Sequence, residues 1–223
     1  MLLTAHSMTQ HTLPTDKKAF IFDLDGVLVD TATFHYQAWK RLANSLGFDF
    51  TWQQNEKLKG VSRQQSLEYL LDWGNVDLPS TEKQRLAARK NDWYLELVAG
   101  MTHWDVLPGA FRLLRAAQAK GIRTALGSAS KNAQLILAHT RTAECFDAVI
   151  DGNSVSRSKP HPEVFLNAAR ALDVPVSDCL VFEDAQAGIE AAIAAGMQVV
   201  GIGHPADLKG ADMVVPGLVD LTL

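Results

Sequence analysis

Cysteine is scarce in this chain, with two in 223 residues. Cys145 and Cys179 each lie inside an apolar stretch and form no C-x-x-C pair, so two buried thiols in a reducing cytosol are expected. No run approaches the ~18 consecutive apolar residues that a membrane span needs. Lys/Arg clusters long enough to track a nucleic-acid backbone are missing too, and the net charge of −4 is mild, which argues against a nucleic-acid partner. Residues 1–17, MLLTAHSMTQHTLPTDK, lack the apolar core and small-residue cleavage site of a signal peptide and read as a flexible extension. The expectation is a cytoplasmic globular chain, 47% apolar and 21% charged, long enough for one large domain or two unequal ones.

From Ile122 onward, short β-rich runs (IRTALG, DAVI, CLVF, QVVGIG) alternate with helical stretches over Asn132 to His139, Pro162 to Leu172 and Ala185 to Ala195. That alternation signals βα units feeding a parallel sheet. AFIF, Ala19 to Phe22, predicts a further strand far away in sequence. Between them, residues 32–105 carry only helical periodicity: Phe34, Ala38, Leu42 and Leu46; then Leu67, Leu70 and Leu71; then Leu86, Trp93 and Leu97, in a helix opened by Ser80 or Thr81. The predicted organisation is an α/β core over 18–31 and 106–223, interrupted after its first strand by an all-helical domain over 32–105.

In an open parallel sheet, ligands bind beyond the carboxyl ends of the strands. There the chain places Asp23 and Asp25 after AFIF, Ser128 and Ser130 with Lys131 and Asn132 after TALG, Lys159 in the loop past DAVI, and Glu183 and Asp184 after LVF. Ser130 and Asn132 serve equally well as helix caps. The acids are harder to explain as turn residues, because four carboxylates at one edge repel one another unless a cation offsets them. Oxygen donors without Cys or His favour Mg²⁺. A cation, a lysine and hydroxyls together suit phosphoryl transfer, with Asp23 placed to form an aspartyl phosphate and Asp25 to move protons.

DLDGVLVDT, the SAS run of Ser128, Ala129 and Ser130, SKP and FEDAQAG resemble the four ordered motifs of the haloacid dehalogenase superfamily of phosphotransferases, spanning Asp23 to Gly188. The resemblance implies a Rossmann-like core with a mobile four-helix cap. It also implies Asp23 as nucleophile, Asp25 as general acid/base, and Mg²⁺ held by Asp23, the backbone carbonyl of Asp25, and Asp184 with Glu183 nearby.

DTATFHYQAWKRLA, LKGVSRQQSL, RKNDWY, LPGAFRLL and SASKNA further resemble the beta-phosphoglucomutase family. That resemblance implies beta-glucose 1,6-bisphosphate as intermediate and primer, with one phosphate met by Arg63, Ser130, Lys131 and Asn132. It places His35 and Lys90 at the cap–core interface, Trp39, Lys59 and Gly60 beside the sugar, and Thr31 at the hinge. Read without it, Arg63 and Lys90 suit solvated helix charges, and Trp39 a helix core. Small sugar phosphates are the expected partners, and a monomer is expected. His161 departs from the family, which has a small residue there, and its place near Lys159 suggests altered substrate preference. Two alternatives are a capped sugar-phosphate phosphatase and, lacking any need for D-x-D or a helical insertion, an aspartate-phosphorylated receiver domain.

Overall fold

The computed structural model describes residues 10–223. In chain order they form β1 (His11–Thr12), β2 (Ala19–Phe22), α1 (Ala32–Ser45), α2 (Trp52–Glu56), α3 (Arg63–Trp73), α4 (Ser80–Val98), α5 (Ala110–Ala119), β3 (Arg123–Gly127), α6 (Ala133–Thr140), β4 (Ala148–Ile150), α7 (Glu163–Leu172), β5 (Cys179–Glu183), α8 (Gln186–Ala194), β6 (Gln198–Ile202), β7 (Met213–Val215) and β8 (Leu221–Thr222). The main sheet is parallel with strand order β4-β3-β2-β5-β6-β7. The chain leaves central β2, builds outward through β3 and β4, then returns to β2's other side with β5. The switch in direction opens the crevice at the tips of β2 and β5, where Asp23 and Glu183 stand.

The period of two along each strand divides the core into two layers. Phe20, Phe22, Leu180 and Phe182 point to one face, packed with Leu114, Ile136 and Leu137 of α5 and α6. Ala19, Ile21, Cys179 and Val181 point to the other, against Phe165 of α7 and Ile189 of α8. Phe22 and Phe182 stack at 4.5 Å across the strand pair that carries the acids. Both cysteines are buried and free.

Helices α1 to α4 form the inserted block, with a separate core around Trp39, Leu42, Phe50, Leu67, Leu70 and Leu86. Short α2 starts on a capping box in which Thr51 and Gln54 satisfy each other's backbone N–H groups. In α4 the buried stripe is Leu86, Lys90, Tyr94 and Val98, one position away from the expected Trp93 and Leu97. Lysine in the middle of that stripe hides its four-residue spacing from a purely apolar reading.

The expected flexible extension over 1–17 ends earlier than the sequence suggests. Residues 1–9 lie outside the described residues, but β1 pairs in parallel with β8, and Leu13 and Lys17 are buried. Leu13 joins the α5 and α6 side of the core, and Lys17 donates to the carbonyl of Ser177 at 2.7 Å. Two backbone hydrogen-bonding partners and one apolar anchor are enough to dock this segment. No helix of the described residues is long and apolar enough to cross a membrane.

Candidate active site

Asp23 follows the last residue of β2 and is 6% exposed. Lys159, fully buried, donates from Nζ to Asp23 Oδ1 at 2.5 Å and lies 3.5 Å from Glu183 Oε1. Burial alone opposes a charge on Lys159, but Asp23 and Glu183 more than offset it and hold the ammonium above its ordinary pKa. Glu183 closes β5 with its side chain laid over the backbone of Gly188 in α8, where any Cβ would collide with it. Burial, reinforced by the charge of Asp23, pushes the Glu183 carboxyl well above the ordinary range.

Asp25 lies two residues beyond Asp23 and accepts a hydrogen bond from the Thr31 hydroxyl. Thr31 occupies the N-cap position of α1 without capping it, so its side chain serves the acid. Burial, with the charge of Asp23 adding to it, raises Asp25 to about 7 despite the opposing Thr31 bond. A carboxyl held there exchanges protons readily near neutral pH.

The helical block faces these acids across a cavity of about 350 Å³. Lys59, in the loop before α3, pairs with Asp184 Oδ2 and with Glu56 Oε2, each at 3.0 Å. Arg63 opens α3 after the N-cap Ser62 and makes no ion pair among the described residues. Lys90 Nζ lies 2.8 Å from His35 Nδ1, beneath the rings of Trp39 and Tyr94 at 4.5 and 4.9 Å. Burial and the charge of Arg63 outweigh the opposing charge of Asp25 and push Lys90 well below its ordinary pKa. Burial and Lys90 do the same to His35.

Of the residues singled out in the sequence, Asp23, Asp25, His35, Trp39, Lys59, Gly60, Arg63, Lys90 and Ser128 to Asn132 line this cavity. Lys159, Glu183 and Asp184 support Asp23 from below, and Thr31 stands behind Asp25. Trp39 is both core and wall: it belongs to the helical core and lines the cavity. His161 does not line the cavity. Its ring contacts Arg157 at 3.0 Å on the exposed side of the loop. Asn55, Ser62, Gln64 and Asn91 are among the further residues of the wall. Asn91 stands inside RKNDWY, and only its position next to Lys90 could have marked it.

Asp23, Glu183 and Asp184 can each bring a carboxylate oxygen within 4.8 Å of the others. Glu183 Oε2 is buried without a hydrogen-bond partner, and burial lifts Asp184 to about 6 even against the pull of Lys59. Three close carboxylates under mutual repulsion, with one orphaned oxygen and no sulfur or imidazole donor, fit a hard divalent cation.

The haloacid dehalogenase-like hydrolase family model matches residues 17–196. The chain is 45% identical over 208 residues to the beta-phosphoglucomutase of Bacillus subtilis, covering 92% of each protein. It is 30% identical to a phosphorylated carbohydrates phosphatase of Thermotoga maritima, covering 84% of this chain and 86% of that one. The crystal structure of beta-phosphoglucomutase from Clostridium difficile superposes with a TM-score of 0.90 at 42% identity, covering 93% and 94% of the two chains. The parallel sheet, the acids at its central switch point and these similarities agree: the chain belongs to the haloacid dehalogenase-like hydrolase family, on its beta-phosphoglucomutase branch.

Proposed function

We propose that this protein interconverts beta-D-glucose 1-phosphate and glucose 6-phosphate through an aspartyl phosphate on Asp23 and enzyme-bound beta-glucose 1,6-bisphosphate. The observation that carries the reading is that one cavity is lined by two separate sets of groups suited to a phosphate. Asp23 with Lys159 makes up one set, and Arg63, which makes no ion pair among the described residues, lines the cavity with Ser130 and Asn132 as the other. Removing a single phosphate needs only the first. An isomerisation needs both, because the bisphosphate must be gripped in either orientation.

In the forward half-reaction, a sugar hydroxyl attacks phosphorus on phospho-Asp23. The new P–O bond forms as the acyl-phosphate P–O bond breaks, and Asp25 takes the hydroxyl proton. In the reverse direction Asp25 returns that proton to the leaving sugar oxygen. Thr31 keeps the Asp25 carboxyl aimed at that oxygen, and Lys159 balances the charge of the phosphoryl group. Asp23, Asp184 and the backbone carbonyl of Asp25, with Glu183 nearby, would hold Mg²⁺, which would supply positive charge beside the transferring group. The helical cap keeps water from the aspartyl phosphate while the sugar turns over.

The test is ³¹P NMR of the purified protein with Mg²⁺ and beta-glucose 1-phosphate, with and without a trace of beta-glucose 1,6-bisphosphate. Glucose 6-phosphate should appear after a lag that the bisphosphate abolishes. Free phosphate as the main product would identify a phosphatase instead.

A further inference from the structure

Asn132 holds the N-cap position of α6, with φ −102° and ψ 9°, yet its side chain makes no capping hydrogen bond. Asparagine is among the best capping residues, so its amide is engaged elsewhere. Nδ2 donates instead to Asn91 Oδ1 at 2.8 Å, a contact between residues 41 positions apart. Asn91 belongs to α4 of the cap and directly follows Lys90, whose amine turns to His35. Both asparagines line the cavity shared by Arg63 and Ser130. The loop beneath is held from the core: Asn153 donates to the Lys131 carbonyl at 3.0 Å, Gly152 to that of Ser130 at 3.1 Å, and the Ser130 hydroxyl accepts from the Asn132 N–H at 3.2 Å. The Asn132 backbone is therefore fixed by the core, whereas the orientation of its amide is fixed by the cap.

A free carboxamide can turn either its N–H₂ or its carbonyl toward a neighbouring anion, and the carbonyl repels it. An N–H₂ group has two hydrogens. With one accepted by Asn91 Oδ1, the other is available to a phosphate oxygen, and the carbonyl is turned aside. We propose that Asn91 is a positioning residue that determines specificity for doubly phosphorylated hexoses: it orients the Asn132 amide as a donor to the phosphate gripped by Arg63, and only while the cap is closed. Opening the cap removes the acceptor, frees the amide to rotate and weakens that grip, which favours release of the bisphosphate only from the open form. This inference rests on the proposed second phosphate place.

The experiment compares wild type, Asn91→Leu, Asn132→Leu, the double variant and Arg63→Ala, with beta-glucose 1,6-bisphosphate and with acetyl phosphate, which has no second phosphate. Asn91→Leu should raise KM for the bisphosphate about tenfold, the scale of one hydrogen bond to a charged group, and several-fold more than it changes the acetyl phosphate reaction. The double variant should be no worse than Asn132→Leu alone, since Asn91 acts through Asn132. Additive losses, equal losses on both substrates, or an unchanged KM in Asn91→Leu beside a raised one in Arg63→Ala would overturn the inference alone. No effect of Arg63→Ala on the bisphosphate would overturn the underlying reading, and this inference with it.

Discussion

Gly26 turns the chain directly after Asp25 with φ +86°, and an added Cβ would collide with the carboxylate of Asp184. Gly26→Ala combines backbone strain with displacement of an acid at the cation site. It should cost about 1–3 kcal/mol in urea denaturation and weaken Mg²⁺ binding in calorimetric titration; unchanged metal affinity would separate the turn from the site. Lys90 presents the opposite trade. A fully buried amine that makes no ion pair among the described residues destabilises the fold, and an apolar replacement relieves that cost. Lys90→Met should stabilise the protein at pH 7, by roughly 1–3 kcal/mol, while lowering turnover. Because burial and Arg63 depress the Lys90 pKa, the unfolded chain binds the extra proton between that depressed value and the ordinary lysine value of about 10.4, so the wild-type deficit shrinks as pH rises through that interval. Denaturation at pH 7 and pH 10 checks the sign. The acids, the lysine and the serines of this site are legible because strand tips expose their chemistry in short motifs. The use of Thr31 and Asn132 is not, because an N-cap residue that forgoes its cap has the same sequence as one that does not.

Two polar contacts span the cleft between the helical block and the sheet: Lys59 to Asp184 at 3.0 Å and Asn132 to Asn91 at 2.8 Å. They approach from different cap elements, the loop before α3 and the body of α4, so the loss of either should let the cap hinge on the other. Lys59 is about a third exposed, and solvent screens its pair in part. Lys59→Ala should therefore loosen the cap rather than unfold it. Small-angle scattering should show a larger radius of gyration in the free protein that returns to the wild-type value with saturating bisphosphate; an unchanged free-state radius would show that Lys59 does not hold the cap. Helices α1 and α3 are legible from apolar spacing because the buried stripe of α1 is apolar throughout and that of α3 is interrupted only by Ser66. In helix α4 the spacing marks Leu86 correctly but points to Trp93 and Leu97 in place of Tyr94 and Val98, because Lys90 occupies a core-facing turn, and the five residues of α2 span too few turns to show a period. Strand β7 was unread as well, since a three-residue edge strand leaves almost no alternation.

At the scale of the molecule, the discontinuous core is held at its margin by β1 and β8, which join opposite ends of the described chain. Leu13, next to β1, is 2% exposed within the α5 and α6 layer. Leu13→Ala should lose about 2–5 kcal/mol and lower Tm by roughly 5–15 °C, with turnover at 25 °C unaffected because the residue is remote from the cavity. Differential scanning calorimetry with an activity assay decides this, and an unchanged Tm would mean the segment merely rests on the surface. Reading residues 1–17 as one extension failed because a two-residue strand and a lone leucine lie below any periodic signal.

The strand order also has a temporal side. β2 is made early, yet both partners that pair with it, β3 and β5, lie further along the chain, the nearer beginning at Arg123. During translation at about 5–20 residues per second, Ala19–Phe22 waits for β3 about 5–20 s, and longer for β5. Helices of the cap close through local contacts in that interval, so a nascent chain carries a finished cap beside an unpaired, wholly apolar strand. That strand is where a ribosome-associated chaperone would find its ligand, and where crowded synthesis would begin to aggregate.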